Sequence, residues 1–281
     1  MPADLFTIHR AFGGPEQEPG SRAKQEPKRS LPIIANLPHS GLLLPPSVAA
    51  QFTPEHQRSL TNSDWHLQTL YSFLPELGIT TMQANYSRYV VDLNRALKPP
   101  FLGSFWSAVV PEQTAFKQPI YRGALPNKAD VRARIDEFYT PYHQQLSVLL
   151  NEAIAQHGKV YLLDLHSFMG IITDDVCLGN AKGQTCQPPL IDSFAQSFAA
   201  QHYQVVKNKV FTGGYITRHY GQQPQVEALQ IELRYPVYLP ADQLEPNVLT
   251  TFPQWQIAPM RTAQAKLRHV FKAAIQKVVQ P

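Results

Sequence analysis

The sequence predicts an α/β protein, a three-layer sandwich in which a mixed β-sheet is flanked by helices. Three observations lead there. Short apolar runs at 31–37, 159–165 and 226–234 have the length and composition of buried strands. Helical patterns at 127–157, 188–202 and 255–279 alternate with them. Two of the strands run straight into polar clusters, Pro38-His39-Ser40-Gly41 and His166-Ser167, the place where α/β folds put ligands.

In chain order, residues 1–30 are polar and are expected to be irregular, leaving 31–281 as a single domain. Residues 64–75 read as a helix, with Ser63 or Asp64 near its cap and Leu67, Leu70, Tyr71 and Leu74 on one face. A strand is expected over 79–86, then a short apolar segment 89–93 ending at Asn94-Arg95, then a proline- and aromatic-rich extended loop over 98–119. The long helical pattern 127–157 carries Ile135, Phe138, Tyr142, Leu146, Leu149 and Leu150 on its apolar face, and Pro141 should kink or divide it. After the strand 159–165 comes a loop with Gly170, Gly179 and Gly183, a helix over 188–202, strands over 204–211 and 226–234, and a closing helix.

Composition narrows the function classes. The 281 residues are 43% hydrophobic but only 16% charged, with 25 prolines and a net charge of +4. That is core-forming composition with stiff loops. No basic run is interleaved with aromatics, so nucleic-acid binding is not expected; the basic stretch Arg22–Arg29 is broken by Glu26 and reads as a solvated loop. The start lacks a basic n-region and an apolar h-region, and no apolar run has the length of a bilayer, so no membrane role is expected and the expected location is the cytoplasm. Cys177 and Cys186 are two thiols without a disulfide framework, expected to stay reduced there.

The chemistry-bearing residues cluster at strand ends. In Asp164-Leu165-His166-Ser167, strand alternation sends Asp164 and His166 to one side, so the carboxylate can take the second N–H of a metal-bound imidazole. His39 follows a strand in the same way. A catalytic zinc takes three protein ligands and leaves one position open. The third is expected to be Asp64, with His66 the alternative and a helix cap the plainer role for Asp64. Glu232, in the apolar strand Gln230-Ile231-Glu232-Leu233, is costly to bury unless paired or functional, and is the candidate general base. Arg88, Asn94 and Arg95, with Arg218 in the glycine-rich segment 213–221, are the candidate substrate-binding groups, since arginine matches a carboxylate through its planar fork. No Gly-x-Ser-x-Gly elbow is present.

Taken as a set, Pro38-His39-Ser40-Gly41, Ser63-Asp64-Trp65, Ser87-Arg88 through Asn94-Arg95, Pro141-Tyr142-His143, Asp164-Leu165-His166-Ser167, Gly213-Gly214-Tyr215 and Gln230-Ile231-Glu232-Leu233 resemble the N-formylglutamate amidohydrolase family. That family looks related to zinc carboxypeptidases and to the aspartoacylase and succinylglutamate desuccinylase group. The resemblance implies a zinc-carboxypeptidase-like (phosphorylase/hydrolase-like) fold, one zinc ion, a small anionic N-acyl amino acid as substrate, and hydrolysis of N-formyl-L-glutamate to formate and L-glutamate in histidine degradation. A formyl group implies a tight acyl pocket. The departure from the carboxypeptidase pattern is Leu42, which stands three residues after His39 where a glutamate ligand would be. Alternatives are a related deacylase for another acyl group, a carboxypeptidase-like amidohydrolase, or a metal-free binding protein on the same fold.

Overall fold

The structure is a computed structural model and describes residues 4–11, 30–170, 172–244 and 253–279. Among the described residues the strands are β1 (Phe6–His9), β2 (Ile33–Leu37), β3 (Thr80–Ala84), β4 (Leu102–Gly103), β5 (Val110–Pro111), β6 (Val160–Phe168), β7 (Val176–Gly179), β8 (Val205–Lys207) and β9 (Val226–Arg234). The helices are α1 (Pro46–Ala49), α2 (Pro54–Ser59), α3 (Leu67–Leu70), α4 (Lys128–Arg134), α5 (Thr140–His157), α6 (Pro188–Ala200), α7 (Tyr215–Tyr220) and α8 (Ile257–Val279). Seven strands form one mixed sheet in the order β1-β3-β2-β6-β9-β7-β8, while β4 and β5 pair separately. Strands β3, β2, β6 and β9 are mutually parallel; β1 and β7 run antiparallel to their neighbours β3 and β9.

The sandwich follows from strand alternation. Odd-numbered positions such as Ala35, Leu163, Leu165 and Ile231 join one core with α3, α6 and α8. Even-numbered positions such as Ile34, Leu162 and Ala228 join the other core with α4, α5 and α7. Both faces are covered, which is why β6 is buried at all nine positions. Helix α8 buries Met260, Ala263, Leu267, Val270, Phe271, Ala274 and Ile275, a stripe at helical spacing, with Phe271 packed edge-on against Tyr71, Phe73 and Phe194.

Local signals set several boundaries. Asn127 and Asp130 make reciprocal cap bonds that start α4. Pro141 divides the long pattern as expected. It has no N–H to continue the ladder, and the preceding turn Ile135–Tyr139 widens to a π-helical one in which the Thr140 N–H reaches back to the Ile135 carbonyl. Gly158, at φ 80°, ends α5.

Other expectations are corrected. Residues 1–30 are not irregular throughout: Phe6–His9 adds an antiparallel edge strand to β3. The reading of Arg22–Arg29 falls outside the described residues. The helix expected over 64–75 shrinks to the four residues of α3, because His66 takes a left-handed φ of 61° and turns the chain away from helix at Ser63–Trp65. The strand expected over 204–211 is only β8, and the glycine-containing loop after His166 contains β7. The segment 213–221, read as a loop, holds the short helix α7. No described helix is long and apolar enough to cross a membrane.

Candidate active site

The carboxyl ends of β2, β6 and β9 build the site. In register, Asn36 lies beside Asp164 and Asp164 beside Gln230; one row further on, His166 lies beside Glu232. All five side chains share the even-numbered face. Gly41 lets the loop after β2 pass the end of β3: a Cβ there would stand 2.5 Å from the Asn85 carbonyl carbon and the Tyr86 oxygen.

His39, Asp64 and His166 are buried together, and one ligand atom from each lies within 4.8 Å of the other two. Asp64 Oδ2 is 2.9 Å from His166 Nδ1 and 3.8 Å from His39 Nδ1. Both imidazoles therefore turn Nδ1 toward the shared space. Their Nε2 atoms are held from behind, His39 by Asp92 Oδ1 at 2.7 Å and His166 by Asp164 Oδ2 at 3.2 Å. A carboxylate on the remote nitrogen fixes the tautomer that leaves Nδ1 free to coordinate, so the donor set fits a divalent metal ion. Asp64 reaches its position through its own N–H, which donates to the His39 carbonyl. His66 points elsewhere, its Nε2 lying 2.7 Å from the Pro253 carbonyl oxygen.

The supporting carboxylates are themselves tied down. Asp164 accepts from Asn36 Nδ2 and Thr217 Oγ1, and Asn36 accepts from the Tyr142 hydroxyl. Asp92 accepts from Arg88 Nε and Nη2 and from the Asn94 N–H. Burial opposes the charge on Asp92, but Arg88 and then Arg95 outweigh it and hold the carboxyl well below the usual range. Burial, then Arg88, lowers His39 to about 4. His166 goes the other way: burial alone would lower it, yet Asp164 and Asp64 together raise it well above 6.5. The contrast has a plain cause. The positive charge of Arg88 acts against a charge on His39, whereas the groups that act most on His166 are two carboxylates, Asp164 and Asp64.

Glu232 is buried, and burial pushes its carboxyl up to about 7. Its Oε1 accepts from Gln230 Nε2 at 2.6 Å. The Gly214 N–H donates to the Gln230 oxygen and so fixes which way that amide points. Asn94 is oriented in the same manner: its Oδ1 accepts from the Ile216 N–H, which leaves Nδ2 3.1 Å from His166 Nε2.

A cavity of about 530 Å³ opens over these groups, lined by His39, Asp64, Arg88, Asn94, Arg95, His166, Gln230 and Glu232. Arg88 is bound to Asp92 and the Asn62 carbonyl and lies 4.5 Å above the Phe105 ring. Arg95 bonds the carbonyls of Phe105 and Asn94. Arg218 does not line the cavity; it is exposed, bonded to the Gly213 carbonyl and Thr212 Oγ1.

Sequence reasoning passed over Asp92, Asn36, Gln230 and Thr217. Asp92 left a signal: a carboxylate closing an apolar run, four residues after one arginine and three before another. Asn36 and Gln230 are polar residues inside apolar strands, the same oddity that singled out Glu232. Thr217 left none.

The comparisons agree with this architecture. The model of the N-formylglutamate amidohydrolase family matches residues 31–239. This chain belongs to the N-formylglutamate amidohydrolase family. The N-formylglutamate deformylase of Pseudomonas aeruginosa is 38% identical over 220 residues, covering 74% of this chain and 82% of that protein. The enzyme of the same name from Pseudomonas putida is 34% identical over 221 residues, with the same shares covered. Among solved structures, the N-formylglutamate amidohydrolase of Ralstonia eutropha JMP134 superposes with a TM-score of 0.75 at 26% identity, covering 98% of both chains.

Proposed function

We propose that this protein hydrolyses the formyl amide of N-formyl-L-glutamate to formate and L-glutamate, with a divalent metal ion, zinc by its donor set, held by His39, Asp64 and His166. The observation that carries the reading is the meeting of a buried His–Asp–His cluster with Glu232, beside His166 on the next strand, over a cavity that also exposes an arginine. The family membership and the deformylase relatives support the same substrate.

When bound, the ion lowers the pKa of the attacking water and polarises the formyl oxygen. Glu232 supplies the proton transfers. Gln230 occupies its Oε1, so Oε2 takes the proton from the attacking water and returns it to the amide nitrogen as the amino acid leaves. A carboxyl raised by burial is matched to both halves of that task, accepting a proton and then giving it up near neutral pH. Arg95 binds the substrate carboxylate, while Arg88 holds Asp92 ionised so that Asp92 can orient His39. Asp164 does the same for His166. The setting is taken to be a single catalytic domain acting in the cytoplasm on a small anionic substrate.

Formate release from N-formyl-L-glutamate by zinc-loaded protein, measured beside amino-acid release from dipeptides and acetate release from N-acetyl-L-glutamate, tests the reading. Formate release should dominate. Release from the dipeptide or the acetyl compound, with none from the formyl compound, would overturn it in favour of a carboxypeptidase-like or other deacylating activity.

A further inference from the structure

The start of α5 carries polar side chains that neither join the metal cluster nor line the cavity, yet each bonds a segment that builds the site. Tyr139, Tyr142 and His143 are spaced i, i+3 and i+4, so they lie on one face of the helix. The Tyr142 hydroxyl donates to Asn36 Oδ1 at 2.7 Å, on the path that supports Asp164. The other two reach the Asn94-Arg95 turn. The Tyr139 hydroxyl donates to the Arg95 carbonyl at 2.8 Å, and His143 Nε2 lies 2.9 Å from the Leu93 carbonyl oxygen. A π-helical turn, Ile135–Tyr139, immediately precedes this face, and such turns gather at functional sites.

The tautomer of His143 follows from its partners. A carbonyl oxygen only accepts, so Nε2 carries the proton. Burial lowers this imidazole to about 4, which keeps it neutral and leaves Nδ1 an acceptor for the Tyr220 hydroxyl 3.0 Å away. The ring packs against Tyr139 and Tyr220, with centroids 4.3 and 6.0 Å from its own. The carbonyls on either side of Asn94 are therefore both tied to α5. The far end of Arg95 is tied separately, since Nε and Nη2 donate to the Phe105 carbonyl. The guanidinium is held at both ends of its side chain.

We infer that Tyr139 and His143 are positioning residues for substrate binding: they fix the backbone on both sides of Asn94 and so aim the Arg95 guanidinium at the carboxylate of the bound formyl amino acid. This rests on the proposed role of Arg95 and adds what orients it. A planar fork binds a carboxylate well only in one orientation, and holding it there beforehand lowers the ordering cost of binding. That gain is equal in the ground and transition states, so its loss raises KM and spares kcat.

The test is steady-state hydrolysis of N-formyl-L-glutamate by the zinc-loaded full chain, for the wild type, Tyr139→Phe, His143→Asn, His143→Gln and Arg95→Ala. Tyr139→Phe removes only the hydroxyl. His143→Gln places an N–H near the position of imidazole Nε2 and keeps the Leu93 bond. His143→Asn is too short to reach Leu93 but keeps an acceptor near Nδ1 for Tyr220. Tyr139→Phe and His143→Asn should each raise KM about three- to tenfold, the worth of one hydrogen bond, with kcat within about twofold and zinc content unchanged. His143→Gln should restore KM to within about twofold of the wild type. Equal KM in the two His143 variants would overturn the inference, because a histidine that only packs does not distinguish them. Should the His143 variants fail to fold, Tyr139→Phe decides alone: an unchanged KM, or a loss confined to kcat, would overturn it. An unchanged KM in Arg95→Ala would overturn the role of Arg95 and this inference with it, leaving formyl-amide hydrolysis standing. No hydrolysis by the wild type would overturn both readings.

Discussion

Replacing Asp92 with asparagine keeps the shape of the side chain and removes its charge, and the consequences divide between two partners. Asparagine Oδ1 can still accept from the Asn94 N–H and from His39 Nε2, which lie 2.9 and 2.7 Å from Asp92 Oδ1. The amide nitrogen then replaces Oδ2 and points N–H groups at Arg88 Nε and Nη2, which lie 3.2 and 2.6 Å away. Two charge-assisted bonds become donor–donor contacts, and a buried guanidinium loses its counter-ion. Leaving one member of a buried pair unpaired costs about 3–5 kcal/mol. On the other side, a neutral amide orients His39 less firmly and makes it a weaker ligand, worth about 10–100-fold in metal affinity. Urea unfolding of metal-free protein measures the first loss, and competition with a chromogenic zinc chelator measures the second. Asp164→Asn is the control. In metal-free protein Asp164 pairs with His166, but Asp64 stays beside that imidazole as a second carboxylate, so this variant should lose metal affinity to a similar degree with a smaller loss of stability than Asp92→Asn. A stability change below about 1 kcal/mol in Asp92→Asn, or equal stability losses in the two variants, would refute the reasoning, because Arg88 would then not depend on Asp92.

Other outcomes follow from the same contacts. Glu232→Gln should retain one zinc per chain while kcat for formate release falls by about 10²–10⁴, and turnover near that of the wild type would remove Glu232 from the proton transfers. Gly214→Ala places a Cβ 2.3 Å from Asn94 Nδ2, a side chain already fixed by the Ile216 N–H, so Asn94 must shift and kcat/KM should fall while the far-ultraviolet spectrum is kept. Burial lowers His56 to about 4, with its ring packed against Phe52 and Tyr89 and its Nε2 lacking a hydrogen-bond partner. Its folded pKa lies below its unfolded value of 6.5, so acidification protonates the unfolded chain first: the stability this histidine contributes is intact above pH 6.5 and drains away as pH falls to about 4. Urea unfolding of wild type and His56→Leu across that window should therefore show the difference moving by about 3 kcal/mol in favour of the variant, and a constant difference would contradict the assignment.

The parts of this molecule that were legible in the sequence are those whose signal is local. β2, β6 and β9 are apolar runs, and His39 and His166 stand out because they follow such runs directly. The pairing of Asp164 with His166 needs only strand alternation. What was not legible depends on distant partners. β1 is a half-buried edge strand whose pattern has meaning only beside β3, and β7 is four residues in a glycine-containing stretch whose burial comes from β9. Asp92 and Arg88 are plain charges in the sequence, and only the turn at 87–95 shows that they neutralise one another against His39. The helix expected at 64–75 failed for a related reason: Leu67, Leu70, Tyr71 and Leu74 do form an apolar patch, but the chain before them is bent to carry Asp64 to the histidines. Glu232 announced itself as a charged residue in a strand, yet the orientation of the Gln230 amide that donates to its Oε1 depends on the Gly214 N–H, 16 residues away from Gln230 in sequence.

The central claim is that one divalent ion, held by His39, Asp64 and His166, works with Glu232 to split the formyl amide. Its most direct measurement is formate release from N-formyl-L-glutamate by metal-depleted protein titrated with zinc. The account predicts no activity at zero zinc, a linear rise, and a plateau at one equivalent per chain, with no plateau reached by His166→Ala. Full activity in the depleted protein, or the same titration curve for His166→Ala, would contradict it.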